Sequence, residues 1–230
     1  MGDLVLHAGL GWTVAGLVVA ASFVTSFITV AFGIGGGAAL LAFLASLLPP
    51  AALIPVHGIV QLGSNTGRAA LMFPHRDQTV LIPFTLGSVV GVALGGSVAV
   101  QLPADMLQIG VGLFILWSVA ANPPGFIRRS AALAGAFSSF LTMFFGGTGP
   151  FVAAYVKSMG VGRMTYVATH SLLMTIQHLL KVVAFGFLGF AYGPWVPLMA
   201  AMVASGFLGT LAGRHVLMRI DEQKFKYALN

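Results

Sequence analysis

The chain contains two long stretches without a charged residue, from Leu4 to Gly67 and from Ser130 to Val156. A water-soluble domain cannot leave such lengths uncharged, because its solvent-exposed faces need polar side chains. A lipid bilayer, in contrast, accepts helices of about 20 apolar residues. Of the 230 residues, 58% are hydrophobic and 7% are charged, whereas about a quarter are charged in soluble proteins. The sequence therefore predicts one all-α integral membrane domain that spans residues 1–230 and lies in the lipid bilayer.

Glycine, proline and charged clusters divide the apolar sequence into segments that predict helices. The predicted helices cover approximately 10–32, 36–48, 51–73, 80–101, 104–121, 130–145, a short helix ending at 157, 163–189 and 194–214. Glycine-rich segments interrupt this series at Phe32 to Gly37 and again at Phe145 to Pro150. Residues 130–156 are too few for two full spans. We therefore expect each interruption to break a helix or to form a re-entrant hairpin that turns inside the membrane.

The second half of the chain repeats the first half in a fixed register. An offset of 113 pairs Phe32 with Phe145, Gly33 with Gly146, Gly36 with Gly149, His57 with His170, Asn65 with His178 and Arg68 with Lys181, and an offset of 118 pairs Gly91 with Gly209 and Gly95 with Gly213. Composition bias does not pair polar positions in one register. The pattern predicts a duplication, with one repeat over about 10–121 and the other over about 128–230. The second copy of the 104–121 helix would begin near Asp221, so we expect repeat two to be incomplete in this sequence.

The charges of the loops predict the orientation of the chain in the membrane. Under the positive-inside rule the cytoplasmic residues are Arg76, Arg128, Arg129, Lys157, Arg163, Arg214, Arg219, Lys224 and Lys226. This choice places the N-terminus, Pro49-Pro50, Gln101–Asp105 and Phe190–Pro194 outside, and none of these contains Lys or Arg. The two repeats then run in opposite directions. Inverted repeats are typical of secondary transporters.

The glycine-rich interruptions are the first candidates for a binding site. A broken helix in a membrane leaves backbone N–H groups that hydrocarbon cannot satisfy, so the break lines a cavity or contacts protein. The N-terminus of a half-helix also attracts anions. The candidate substrate-binding residues here are Gly33, Gly35, Gly36, Gly37, Gly146, Gly147, Thr148 and Gly149. Close helix packing through small residues is the alternative interpretation.

Polar side chains on the helices that follow the two interruptions are the second set of candidates. They are His57, Gln61, Asn65, Arg68, His170, Gln177, His178 and Lys181, with Ser64 on the same face as the first four. Polar groups at membrane depth normally face the bundle interior or a water-filled path. The two cations would neutralise an anionic substrate, and the amides would donate hydrogen bonds to it. Alternatively, Arg68 and Lys181 extend to the membrane surfaces and the other groups make structural hydrogen bonds.

The residue types that are missing narrow the function further. The five acidic residues lie in loops or at helix ends, so no buried carboxylate is available for Na⁺, and proton coupling would need His57, His170 or His178. The sequence has no Ser–His, paired-Asp or His-Glu-x-x-His arrangement, so we expect no catalytic residues and no enzyme activity. We expect no cofactor, no metal site and no nucleic-acid partner. A homodimer is left open.

The chain resembles the TauE/SafE family of sulfite and organosulfonate exporters at three segments: Phe32-Gly-Ile-Gly-Gly-Gly, Pro55-Val-His-Gly through Asn65 and Arg68, and Phe145-Gly-Gly-Thr-Gly-Pro. The resemblance covers nearly the whole chain. It implies a multi-pass exporter of sulfite, sulfoacetate or a related organosulfonate in the bacterial cytoplasmic membrane. The residues by themselves indicate only that the substrate is an anion, and the leading hypothesis is a secondary transporter that works by alternating access. A passive anion channel, a transporter of another small carboxylate or oxyanion, and a metal or cation transporter are the alternatives.

Overall fold

The computed structural model of the protein describes residues 8–99, 104–120 and 123–229, and within these ranges the regular structure is entirely helical. The α-helices of these ranges are α1 (Trp12–Phe32), α2 (Gly36–Ala45), α3 (Pro50–Leu71), α4 (Leu81–Ala99), α5 (Ala104–Ala120), α6 (Ala131–Phe145), α7 (Gly149–Ser158), α8 (Arg163–Phe187), α9 (Val196–Arg219) and α10 (Glu222–Ala228). The predicted all-α fold class is confirmed. The N-terminus up to His7, and the predicted turn residues 101–103 and 122, lie outside the described residues.

Four segments within the described ranges are long and apolar enough to cross a membrane. They are Trp12–Phe32, Leu81–Val98, Arg163–Phe187 and Gly193–Arg219. Large apolar side chains on the outer faces of these helices are exposed, and Phe187 is 88% exposed. A bilayer accepts such side chains, whereas a soluble monomer rarely exposes extended apolar surface. The chain is therefore a multi-pass membrane protein.

The helices α3 and α8 pack side by side at the centre of the bundle. α3 begins at Pro50, and proline fits the first turn of a helix because the N–H it lacks would have no partner there. Both helices bury polar residues along the face that each turns inward. These residues are His57, Gln61, Ser64, Asn65 and Arg68 on α3, and Thr169, His170, Ser171, Gln177, His178 and Lys181 on α8.

Glycine conformations end the helices at both interruptions. α1 ends at Gly33 with a φ of 85°, and α6 ends at Gly146 with a φ of 76°. These left-handed conformations favour glycine, because a Cβ atom would be strained there. The half-length helices α2 and α7, of 10 residues each, begin directly after the breaks. Both interruptions predicted from the sequence are therefore confirmed as breaks between helices.

α1 packs on α9 in the same way that α6 packs on α4. A Cβ atom at Gly91 of α4 would collide with the carbonyl oxygen of Ala136, and one at Gly209 of α9 would collide with that of Phe23. The two contacts therefore match in the offsets found in the sequence: Ala136 lies 113 residues after Phe23, and Gly209 lies 118 residues after Gly91. One turn further along, Gly95 lies against Phe140 and Gly213 lies against Phe27, which repeats both offsets.

One turn earlier in the same two interfaces, a serine replaces one of the glycines. Gly87 of α4 faces the carbonyl oxygen of Ala132. At the corresponding place on α9, the Ser205 hydroxyl donates a hydrogen bond of 2.8 Å to the carbonyl oxygen of Val19. These matched contacts are what a duplication in this register would produce. The opposite orientation of the two halves in the membrane stays a prediction.

The short helix α10 is held against the first turn of α8. The Glu222 carboxylate accepts hydrogen bonds from the backbone N–H of Arg163 at 3.0 Å and from its guanidinium at 3.0 Å. Phe225 is buried against Tyr166 of α8 and against Gly33 at the end of α1. α10 begins where the sequence predicts the start of the second copy of α5.

The glycine contacts predict opposite effects of the same substitution at different positions. We expect Gly91→Ala and Gly209→Ala to lower the thermal unfolding midpoint of the detergent-purified protein, because the added methyl group forces two helices apart. Gly16→Ala in α1 and Gly112→Ala in α5 are the controls, since a Cβ atom there meets nothing within 4 Å. Alanine favours a helix over glycine by about 1 kcal/mol, so the controls should unfold at the same or a higher temperature. A rise in the midpoint for Gly91→Ala and Gly209→Ala would contradict the close packing.

Candidate functional site

A cavity lies where the half-helices α2 and α7 approach the central helices α3 and α8. The part of it that the centre of a water molecule can reach is about 30 Å³, and the cavity is partly open to the outside. Ten of the predicted substrate-binding residues line it: Gly35, Gly37, His57, Gln61, Asn65, Gly146, Gly147, Gly149, His170 and His178. The structure thus brings together residues from both interruptions and from both central helices.

Five lining residues were not singled out in the sequence. They are Thr29, Ile34, Ala38, Pro150 and Met174. All but Met174 lie within or next to the glycine-rich segments, so their closeness in sequence to the glycines could have indicated them. Met174 has a less obvious signal: it lies 113 residues after Gln61, at the matching position of the second repeat.

Six predicted site residues lie beside or behind the cavity. They are Gly33, Gly36, Arg68, Thr148, Gln177 and Lys181. Gly36 lies so close to α1 that a Cβ atom would collide with the carbonyl oxygen of Thr25. The Gln177 amide donates to the Thr148 hydroxyl at 2.6 Å and to the carbonyl oxygen of Ser138 at 3.1 Å. Gln177 therefore ties the start of α7 to α6 and α8.

A chain of hydrogen bonds connects Arg68 to the cavity wall. The Arg68 guanidinium donates to the Asn65 side-chain oxygen at 3.2 Å, and the Asn65 amide nitrogen donates to the Gln61 side-chain oxygen at 3.3 Å. A guanidinium only donates hydrogen bonds, so it fixes the orientation of both amides in turn. With its Oε1 atom bonded to Asn65, Gln61 lines the cavity. We name Arg68, Asn65 and Gln61 the amide relay.

The two central cations are fully enclosed by protein. Arg68 is 2% exposed and Lys181 is 0% exposed, so neither side chain extends to a membrane surface. The ion pairs found in the described part of the chain are Arg163–Glu222 and Lys224–Asp221. Neither central cation therefore has a carboxylate partner there, and the Lys181 ammonium, which lies against Gly58, has no hydrogen-bond partner either.

Two of the three cavity histidines are attached to the half-helices in the same manner. His57 Nε2 bonds the carbonyl oxygen of Gly37 at 3.0 Å, and His170 Nε2 bonds that of Gly149 at 3.4 Å. A carbonyl oxygen only accepts, so Nε2 carries the hydrogen in both rings. His57 and His178 meet edge to face, with 6.1 Å between ring centroids. Among the described residues, no group of three His, Cys, Asp or Glu side chains could hold a metal ion.

Comparison with protein-family models matches residues 18–230 to the family described as Sulfite exporter TauE/SafE. The match begins within α1 and includes every residue of the cavity. Comparisons with curated proteins and with solved structures found no match.

The chain contains no cysteine, so one introduced cysteine is the only thiol that a reagent can modify. We expect Ala38→Cys, at the cavity wall, to react with the anionic reagent sulfonatoethyl methanethiosulfonate. The cationic trimethylammonioethyl analogue should react more slowly, with both rates normalised to those with a free thiol in water, because Arg68 and Lys181 repel cations. Ala134→Cys in the core of α6, where Ala134 is buried, is the unreactive control. Faster reaction of Ala38→Cys with the cationic reagent would contradict a cation-lined cavity.

Proposed function

Since the chain belongs to the Sulfite exporter TauE/SafE family, we propose that it exports sulfite, sulfoacetate or a related organosulfonate by alternating access through the cavity described above. The family is one of membrane transporters, not of enzymes. Within the proposal the chain is one transmembrane domain of the bacterial cytoplasmic membrane, with its N-terminus outside.

The observation that carries the proposal is the pair of buried cations, Arg68 and Lys181, which have no carboxylate partner in the part of the chain that the structure describes. A charge buried in protein is costly unless it is paired and hydrogen-bonded. Charges also interact more strongly in a low-dielectric interior than in water. Arg68 reaches the cavity wall through the amide relay, and the Lys181 Nζ atom lies 3.7 Å from the place where a Cβ atom of Gly58, the residue after His57, would stand. A bound anion would offset both positive charges.

The half-helices supply the second support for an anion site. The N-cap residues Gly35 and Thr148 make no side-chain capping hydrogen bond to α2 and α7. Backbone N–H groups of a first turn lack helical partners and attract anions. Gly37 and Gly149 line the cavity at these first turns. Without Cβ atoms, they let a small oxyanion approach the backbone closely.

The matched halves support a carrier over a simple pore. Each half contributes one half-helix, one histidine bonded to that half-helix, and one buried cation. In transporters with inverted repeats, the two halves exchange conformations, and the site between them opens to one side and then to the other. A passive anion channel needs no such exchange. Only a carrier speeds the entry of labelled substrate when unlabelled substrate is present on the far side.

We expect proteoliposomes that contain the natural protein to show this trans-stimulation with labelled sulfite or sulfoacetate. Arg68→Gln and Lys181→Gln should each lower the rate by about tenfold or more, because a hydrogen bond or ion pair to a charged group contributes about 1.5–3 kcal/mol. Lys226→Gln is the matched control, since Lys226 lies exposed on α10. This variant should transport the substrate at the natural rate.

Three outcomes of these transport measurements in proteoliposomes would change the proposal. Sulfur-anion flux without trans-stimulation would indicate a passive channel. Full activity of Arg68→Gln and Lys181→Gln would remove the anion site from this cavity. Transport of a metal ion or another cation, unaffected by either substitution, would indicate a cation transporter.

A further inference from the structure

The two walls of the cavity differ at matching positions of the two repeats. Adding 113 to Gln61, Asn65 and Arg68, the three members of the amide relay, gives Met174, His178 and Lys181. Of the first three, Gln61 and Asn65 line the cavity, and of the second three, Met174 and His178 line it. Repeat two therefore has residues at the positions that match the amide relay. At the position that matches Gln61, however, it has the thioether of Met174 instead of an amide.

The wall formed by repeat one presents hydrogen-bond donors. The amide relay engages Gln61 Oε1 with Asn65, and Nε2 and Oε1 of Gln61 lie 3.4 Å and 3.5 Å from the place where a Cβ atom of Gly37 would stand. Gly37 is in the first turn of α2, where backbone N–H groups lack helical partners. A charge-assisted chain of hydrogen bonds therefore ends beside a helix N-terminus.

The wall formed by repeat two is apolar at the same place. The Met174 methyl group lies 3.9 Å from the place where a Cβ atom of Gly149 would stand, in the first turn of α7. Met174 packs in one apolar cluster with Ile34 of repeat one, which also lines the cavity, and His170 and His178 also line the repeat-two wall. The residue that matches Gly37 is Pro150, which has no backbone N–H to donate. The first turn of α7 thus offers one donor fewer than that of α2 and is covered by a methyl group.

We infer that the preferred substrate is a monoanion with a short apolar substituent, such as an alkanesulfonate, bound in one orientation. Its sulfonate oxygens lie at Gln61 and the first turn of α2. Its alkyl group lies against Met174, Ile34 and Pro150. This inference rests on the proposed function, and Met174 is the residue that it makes specificity-determining.

The test measures thermal stabilisation of the purified protein by ethanesulfonate, methanesulfonate, sulfite and sulfoacetate over a concentration series. We expect ethanesulfonate to bind most tightly of the four. Each additional methylene group that is buried against the apolar wall should raise the affinity about fourfold. Sulfoacetate should bind more weakly, because its carboxylate would face the apolar wall. Met174→Gln should abolish the preference for ethanesulfonate, and Met174→Leu, which keeps an apolar side chain of similar size, should retain it.

A pair of alanine variants tests the orientation independently of Met174. Gly149→Ala adds a methyl group whose nearest neighbour is the Met174 methyl at 3.9 Å, so the protein should fold. This variant should weaken the binding of ethanesulfonate more than the binding of sulfite. Gly37→Ala adds a methyl group at the wall formed by repeat one and should weaken the binding of every sulfur anion.

The results separate this inference from the proposed function. Stronger binding of sulfite or sulfoacetate than of ethanesulfonate would overturn the orientation and leave sulfur-anion export standing. An unchanged preference in Met174→Gln would remove the specificity role of Met174. Absence of stabilisation by all four anions, in a protein that also fails to transport them, would overturn the proposed function itself.

Discussion

Two cations buried among apolar helices, with no carboxylate partner among the described residues, are the constraint on which the rest of this structure depends. Arg68 and Lys181 are enclosed by protein, and the ion pairs of the described residues lie elsewhere, at the start of α8 and in α10. Burial of an unpaired charge is tolerated only where another interaction offsets its cost. A cavity beside these cations, bordered by two helix N-termini, supplies a place for a negative charge.

The amide relay shows how a cation can act on a ligand that it does not touch. Arg68 lies behind the wall, yet its fixed donors set the direction of two amides, and the last of these lines the cavity. The residues 113 positions further on, Met174, His178 and Lys181, form no such chain, since the Lys181 ammonium has no hydrogen-bond partner in the described part of the structure. Two halves with similar helices and similar packing therefore present different side chains to one cavity. This difference would hold a ligand with two unlike ends in one orientation.

Much of the fold followed from the sequence because apolar length and helix-breaking glycine act locally. The breaks at Gly33 and Gly146 were predicted from composition and repetition, and so were the helices on either side of them. The lining of the cavity was harder to predict, because it depends on where each side chain turns within a packed bundle. Gln177 shares the polar face of α8 but bonds Thr148, and Met174 has the residue type of a core methionine, so only its offset of 113 from Gln61 relates it to the cavity.

The most direct measurement is a crystal structure with 2-bromoethanesulfonate, in which anomalous scattering locates the bromine atom. We expect one bromine position in the cavity, beside Met174 and Pro150, with the sulfonate density next to Gln61 and the first turn of α2. Bromine beside Gln61, with the sulfonate at Met174, would contradict the orientation. Density for the sulfonate only outside the space between α2 and α7 would contradict the site.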